Sequence, residues 1–504
     1  MNVHVGNSLP QNLVSQLSAK AAAFAVRPKQ LFIDNTFCDA SDGGVFPSED
    51  PATGLKICNF ASATVQDVDA AVRSSHNAFE NGWRDMPPAG RASLLFKLAD
   101  LIEANFDELA ELESLDSGKP LSGACSLDIP FSIETFRYYG GWTTKLSGKT
   151  FDLSLQSDQY HSFTRRQPIG VVAGIIPWNF PFIQAAFKLA PALAAGCTII
   201  LKPAEQTPLT AIRLAELIVE AGFPKGVVNI LTGFGRTTGA ALVEHPMVRK
   251  VSFTGSTAVG KMLLQGAAGN LKRLSLELGG KSPNIIFADA DMERAILGAV
   301  NAIFGNSGQV CVAGARLFVQ RAVFDKVVEG VVEYASRLRV GAGLNSETEI
   351  GPLISAVQRE RVASYVESGR VAGAEVAIGG YAIGDVGYFY SPTVLLGTTA
   401  DMKVRQEEIF GPVLCAVPFD NIEDVLPMAN HEHYGLAASI WTRDLSTAHL
   451  MSRQVDAGMI WVNCHGLYDP NLPGGGFKES GWGQELALEG VEAYTSSKSV
   501  TIRL

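Results

Sequence analysis

The sequence predicts an α/β protein in which a parallel, doubly wound sheet is joined to a second αβ region. Three observations predict it. Between residues 169 and 254 short apolar runs alternate with helix-like stretches, the β-α-β-α-β-α-β series of a parallel sheet. At 504 residues the chain exceeds what one core supports, roughly 250–300 residues, so two or more domains are expected. Glycine, 50 residues of 504, exceeds the usual share of about 7% and recurs in turns where backbone can approach a ligand.

In chain order, the first thirty residues are polar and irregular and read as an arm. Residues 64–82 and 88–113 have helical periodicity; in the second, Leu94, Leu95, Leu98, Leu101, Ile102 and Phe106 recur at three- and four-residue spacing. Lys149–Gln167 alternates and is charged, as an exposed hairpin would be. Ile169–Ile176 is a continuous apolar run, the pattern of a buried parallel strand. Pro177–Pro181 ends it, and a helix-like stretch runs to Ala195. Thr198–Leu201 is the second strand, and Pro208–Ala221 a helix closed by Gly222 and Pro224. Val227–Leu231 is the third strand, followed by a glycine turn and a helix to about His245. Val251–Phe253 is the fourth strand, with Ser256 placed to cap the next helix. The second αβ region spans about Lys281–Lys478, with helices at 291–304 and 355–373, and Ser499–Leu504 reads as a strand. Exposed strand edges invite pairing with another chain. The hairpin and the terminal strand are candidate assembly elements, with an ordinary surface hairpin and tail the equal alternative.

Composition excludes several classes. The formal net charge is −10 and no run of Lys and Arg stands out, so nucleic acid is not an expected partner. The cysteines Cys38, Cys58, Cys125, Cys197, Cys311, Cys415 and Cys464 are scattered, odd in number and without C-x-x-C spacing. Neither a disulfide framework nor a structural metal site is expected, and a reducing compartment fits. His431 and His433 form no metal-binding pattern and read as surface residues. The N-terminus shows no secretory pattern, and residues 21–26 are too short an apolar run for one. The longest apolar run, Leu189 to Leu201, contains Pro191 and Gly196 and falls short of the roughly 20 residues of a membrane span. A soluble, cytoplasmic protein without membrane partner is expected.

Three residues could carry chemistry. Cys311 lies in F-G-N-S-G-Q-V-C-V-A-G. A cysteine is by default a small buried hydrophobe, the reading kept for Cys38, Cys58, Cys125, Cys197 and Cys415. Gly305, Gly308 and Gly314 set Cys311 apart, and nucleophile and core residue both stand as readings. Glu277, in L-S-L-E-L-G-G-K, is a carboxylate in an apolar strand; burial would raise its pKa toward that of a useful base. The alternative is an edge strand with one wet face, and the double glycine after it favours function. Asn179, in I-I-P-W-N-F-P, follows a buried strand, where its amide could donate to an oxyanion or simply form a turn. The turn at Gly233, Gly235 and Gly239 has one residue too many for the dinucleotide fingerprint, and no acid follows at the expected distance. Lys202 and Glu205 follow the second strand instead. A glutamate there could hold ribose hydroxyls and repel a 2′-phosphate.

Taken together, the segments resemble the aldehyde dehydrogenase superfamily. They are I-I-P-W-N-F-P (175–181), K-P-A-E-Q-T-P (202–208), G-F-G-R-T-T-G (233–239), F-T-G-S-T (253–257), L-E-L-G-G-K (276–281), G-Q-V-C (308–311), E-E-I-F-G-P-V (407–413), W-V-N-C (461–464) and G-G-F-K-E-S-G (475–481), in the family's order. The resemblance implies a Rossmann-type NAD-binding domain over 1–145 and 169–279, a catalytic domain over 280–478, and oligomerisation strands at 146–168 and 490–504. It also implies oxidation of an aldehyde to the acid: Cys311 attacks, the Asn179 amide and the Cys311 N–H hold the oxyanion, and Glu277 activates water. Cofactor contacts are implied for Ile176, Pro177, Trp178, Gly235, Gly239, Phe253 and Leu278. Lys202, Glu205 and Glu408 would take the ribose hydroxyls, Phe410 would flank the nicotinamide, and Gly255 and Ser256 would meet the phosphates. Glu205 favours NAD over NADP. A homo-oligomer, tetramer or dimer, is the implied assembly.

Within the superfamily, residues 143–155 and 461–473 are most similar to phenylacetaldehyde dehydrogenases. The implied pocket is Phe180, Gln184, Phe187, Val310, Val312 and Tyr468, with aromatic and aliphatic walls suited to an arylacetaldehyde. Gly474 and Gly305, where relatives carry Phe, imply added room. A medium-chain aliphatic aldehyde is the alternative substrate. Glu277 argues against a CoA-acylating relative, and the presence of Cys311, Glu277 and Asn179 against a retired, non-enzymatic one. Simple thiol-dependent ester hydrolysis would have no need of Lys202, Glu205 and Glu408.

Overall fold

The computed structural model describes residues 16–154 and 157–504. An eight-stranded sheet organises the first unit, in the order Thr36–Cys38, Leu31–Ile33, Val228–Ile230, Thr198–Lys202, Val171–Ile175, Val248–Thr254, Arg273–Glu277, Gly481–Trp482. From Val228–Ile230 to Arg273–Glu277 the neighbours run parallel, and the outer pairings are antiparallel. Chain order reverses about Val171–Ile175, which opens a crevice at the carboxyl ends of this strand and Val248–Thr254.

These strands are apolar on both faces because both are covered. Val172, Ile199 and Leu201 enter the core built with helices Pro88–Ala104, Ile129–Trp142, Pro181–Ala195 and Leu209–Ala221. Their neighbours Val171, Ala173 and Ile200 point the other way, toward Val65–Ala78, Ala240–Glu244 and Thr257–Gly266. Ser256 caps the last of these helices, its hydroxyl accepting from the Val259 N–H.

A seven-stranded sheet organises the second unit, in the order Glu375–Ile378, Thr393–Leu396, Val413–Phe419, Arg316–Gln320, Pro283–Ile286, Ala437–Trp441, Met459–Val462. All but the first pairing are parallel. Met292–Phe304 and Ala356–Val371 are the helices expected at 291–304 and 355–373. The hairpin at 149–167 and the terminal strand belong to one sheet: Thr495–Arg503 pairs antiparallel with Tyr160–Pro168, which also pairs with Thr150–Phe151.

Several expectations are corrected. Part of the N-terminal arm, residues 1–15, lies outside the described residues, as do residues 155 and 156 of the hairpin. The rest of the arm is not irregular: Ser18 caps a helix Ala19–Ala25 that buries Ala21, Phe24 and Ala25. The single helix expected over 88–113 is two, Pro88–Ala104 and Phe106–Ser117. They break at Asn105, whose backbone leaves the helical region at φ −114° and ψ 27° and whose side-chain amide joins its own N–H on the Leu101 carbonyl. His433 is exposed, but His431 is half-buried; its Nδ1 accepts from the His433 and Tyr434 N–H groups and shapes the turn. Among the described residues no helix is long and apolar enough to cross a membrane, and no cluster of His, Cys, Asp and Glu could hold a metal.

Candidate active site

Cys311 sits at the end of a strained loop. Helix Met292–Phe304 stops at Gly305, and Asn306, Ser307 and Gly308 follow with φ of 48°, 57° and 71°. Successive left-handed residues are costly unless held, and polar contacts hold these. Ser307 Oγ donates to the Gly351 carbonyl (2.7 Å), Gln309 Oε1 accepts from the Ile354 N–H (2.9 Å), and Asn306 Nδ2 donates to the Asn179 carbonyl (3.0 Å). A Cβ on Gly308 would run into the Gly411 carbonyl.

Asn179 approaches from the crevice of the first sheet. It is 6% exposed, and its Nδ2 donates to the Gln309 carbonyl at 2.9 Å, two residues before the thiol. An amide nitrogen carries two N–H groups. One ties the Cys311 loop to the first unit, which fixes where the other points. Asn179 does not itself line the cavity described below.

Glu277 ends its strand beside Thr254. Its Oε1 is buried and accepts no hydrogen bond. Burial first, then the Glu485 carboxylate, hold its carboxyl well above the ordinary range, with Lys188 acting in the opposite sense. The double glycine after it now has a reason. A Cβ on Gly279 would collide with the Glu408 carboxylate, and one on Gly280 would meet the Cys311 carbonyl at 2.7 Å.

Cys311, Glu277 and the six expected pocket residues line one cavity of about 430 Å³. Phe131 meets Phe187 edge-on at 5.5 Å, and the Tyr468 ring lies edge-on to Trp461 at 5.8 Å, so the wall is aromatic. Gly305 and Gly474 also line it; a Cβ on Gly305 would meet nothing within 4 Å. Burial, then Glu408 and Glu277, push the Cys311 thiol up to about 12, so the resting group is the thiol and needs a base to become a nucleophile. The backbone N–H dipoles of Val312 and Cys311 act the other way.

The residues implied for a cofactor gather on the carboxyl edge of the parallel strands. Ile176, Pro177 and Trp178 follow Val171–Ile175, Lys202 ends Thr198–Lys202, and Gly235 and Gly239 open the turn after Val228–Ile230. Phe253, Gly255 and Ser256 stand at the end of Val248–Thr254, and Leu278 follows Arg273–Glu277. From the second unit, Phe410, at φ 61°, packs edge-on against Trp178 at 5.2 Å, and Glu408 accepts from the Gly280 N–H at 3.1 Å. Lys202 Nζ donates to the Pro203 carbonyl and lies 3.5 Å from the Glu205 carboxylate. This set fits a dinucleotide. A Cβ on Gly235 would meet nothing within 4 Å, and the ten-residue helix Thr257–Gly266 turns its N-terminal N–H groups to the crevice. A cation and carboxylates at neighbouring strand ends offer partners for sugar hydroxyls.

Sequence reasoning missed the buried charges around the site. Lys188, fully buried within Pro181–Ala195, donates to Thr254 Oγ1 at 2.7 Å and pairs with Glu485. Lys119 pairs with Asp128 and Glu113, and its ammonium lies 4.3 Å from the Phe180 ring centre. A lysine inside F-I-Q-A-A-F-K-L-A-P-A-L was the one signal available.

Comparison with known proteins supplies the context. Residues 37–500 match the profile of the aldehyde dehydrogenase family. A mitochondrial aldehyde dehydrogenase of Rattus norvegicus is 47% identical, over 94% of this chain and 92% of that one. A phenylacetaldehyde dehydrogenase of Pseudomonas fluorescens is 45% identical, over 94% and 96%. An NAD+ complex of aldehyde dehydrogenase from Bacillus cereus superposes with a TM-score of 0.95 at 47% identity, over 97% of this chain and 99% of that one.

Proposed function

Because the chain belongs to the aldehyde dehydrogenase family, we propose that it oxidises an arylacetaldehyde, phenylacetaldehyde or a close analogue, to the carboxylic acid through a thioester on Cys311. NAD, held by the strand-end residues with Glu205 turned against a 2′-phosphate, supplies the hydride acceptor when bound. Glu277 takes the thiol proton as Cys311 Sγ bonds the carbonyl carbon. The free N–H of the Asn179 amide and the Cys311 N–H hold the oxyanion of the resulting thiohemiacetal. Loss of hydride from its carbon leaves the acyl thioester. Glu277 passes the thiol's proton to solvent and then takes a proton from water as the oxygen attacks the acyl carbon; the C–S bond breaks, Glu277 returns that proton to the sulfur, and the acid is released. Charged oxygens form twice at one carbon, which is why fixed donors matter more than binding strength.

The observation that carries this reading is a buried, unpartnered carboxylate facing the same cavity as a lone cysteine. The aromatic wall supports the arylacetaldehyde; a medium-chain aliphatic aldehyde is the competing substrate. Division into a cofactor unit at 1–145 and 169–279 and a catalytic unit at 280–478 belongs to the same proposal. So do a cytoplasmic location, supported by seven unpaired cysteines, and a homotetramer or dimer joined through the sheet of 146–168 and 490–504.

The test follows NADH formation with NAD or NADP and a panel of phenylacetaldehyde, benzaldehyde, hexanal, acetaldehyde and glyceraldehyde. Preference for phenylacetaldehyde with NAD is expected; preference for hexanal would keep the mechanism and discard the aromatic pocket. Cys311→Ala should bind NAD and form no NADH. Glu277→Gln, whose thiol must lose its proton to water, should form its first equivalent of NADH more slowly and then stall, and an unaltered steady state in that variant would remove Glu277 as the base.

A further inference from the structure

Beside the groups already assigned to the chemistry, Gln184 brings a carboxamide to the aromatic side of the cavity. This residue lies on Pro181–Ala195, one turn beyond Phe180 and one turn before Phe187, and all three line the cavity. Its backbone is spent on the helix, the N–H donating to the Phe180 carbonyl at 2.9 Å. Its side chain is not: Oε1 is shut off from solvent and accepts no hydrogen bond. Ile183, Phe187 and Leu486, with Phe131, Phe180 and Tyr468, form an apolar cluster on this side of the cavity, and no group donates to Gln184 Oε1.

An amide oxygen shut off from solvent and left unsatisfied costs about 1–3 kcal/mol. A hydrocarbon side chain of similar length would serve a hydrocarbon substrate better. The amide gains only when something in the cavity bonds to it. Rotation about its last side-chain bond exchanges the oxygen and nitrogen ends, so the partner must suit either. A hydroxyl does, since it donates to the oxygen and accepts from the nitrogen. The surrounding rings leave room for a flat group and reward one.

We propose that Gln184 recognises a hydroxyl carried on the ring of the substrate, so that the preferred substrates are hydroxyaryl acetaldehydes. This rests on the arylacetaldehyde reading of the cavity and narrows it. The hydroxyl is gripped on the helix while the aldehyde carbon meets Cys311. The amide adds specificity at the far end of the substrate and takes no part in bond making.

The test compares kcat/KM for 3-hydroxyphenylacetaldehyde, 4-hydroxyphenylacetaldehyde, phenylacetaldehyde and hexanal in the wild type and in Gln184→Met, which keeps the length and loses the amide. At least one hydroxylated aldehyde should exceed phenylacetaldehyde by about tenfold, the worth of one net hydrogen bond. In Gln184→Met that ratio should fall to about one. Phenylacetaldehyde turnover without a hydroxyl advantage, or an advantage that survives Gln184→Met, would overturn the inference and leave the arylacetaldehyde reading standing. Hexanal outrunning every aryl substrate would instead remove the reading beneath it.

Discussion

Asn179 carries two duties on one nitrogen, and they can be separated. Asn179→Ala removes the N–H that holds the oxyanion and the N–H that donates to the Gln309 carbonyl at 2.9 Å. The first loss should lower turnover by about 10²–10³, or roughly 2.7–4 kcal/mol of transition-state stabilisation. The second should cost about 1 kcal/mol of stability, a net hydrogen bond, because the Gln309 carbonyl keeps only the long contact to Asn306 at 3.4 Å. Asn306→Gly supplies the control. It keeps the left-handed backbone that Asn306 adopts at φ 48° and removes the amide that binds the Asn179 and Gln309 carbonyls. It therefore loosens the same loop without touching the oxyanion donor. The assay is the rate of the first NADH equivalent under rapid mixing, with denaturant midpoints measured in parallel. Asn179→Ala should be slower than Asn306→Gly by tenfold or more at similar stability. Equal losses in the two variants would mean that Asn179 acts by holding the loop alone.

Other consequences follow from the buried charges. Glu485 is the first charge, after burial itself, that raises Glu277. A base must be ionised to act, so hydrolysis of the thioester falls as pH drops through the raised Glu277 pKa. Glu485→Gln should shift that limb to lower pH in single-turnover deacylation, and a limb that stays put would detach Glu485 from the base. Lys119→Met leaves Glu113 and Asp128 buried without their cation, at 0% and 2% side-chain exposure. About 3–5 kcal/mol should be lost, read as a lower denaturant midpoint; an unchanged midpoint would show that the carboxylates take up protons at little cost. Glu205→Ser should relax discrimination against NADP, and an unchanged ratio of kcat/KM for the two cofactors would exclude this carboxylate as the selector.

Much of the fold could be read along the chain because its signals are local. Val171–Ile175 and Thr198–Lys202 are buried at every position around apolar centres, and Gly196 and Gly222 each end the helix that precedes them at φ 91°. Cys311 and Glu277 stood out because glycines crowd them, and the clashes a Cβ would make at Gly280 and Gly308 say why those glycines are needed. Other features depend on partners far away in sequence. Nothing near Lys188 announces Glu485, which lies 297 residues on. Gly481–Trp482 is too short to read as a strand, and it exists because Arg273–Glu277 offers an open edge. The break at Asn105 escaped because the apolar period runs on from Ile102 to Phe106 across it. The helix Ala19–Ala25 escaped because its neighbours in sequence are polar, while its burial is supplied by the core it packs into.

Placing Glu485 so near the end of a 504-residue chain has a consequence for how the protein is made. Domains form as they emerge during synthesis, the N-terminal part first. The parallel strands from Val171 to Glu277, with Lys188 inside them, precede by some two hundred residues the carboxylate that neutralises that lysine. Lys188 therefore gains its carboxylate partner only after residue 485 has been made. A chain cut short of residue 485 would keep Cys311 and Glu277 and lack the carboxylate that pairs with Lys188 and stands beside Glu277.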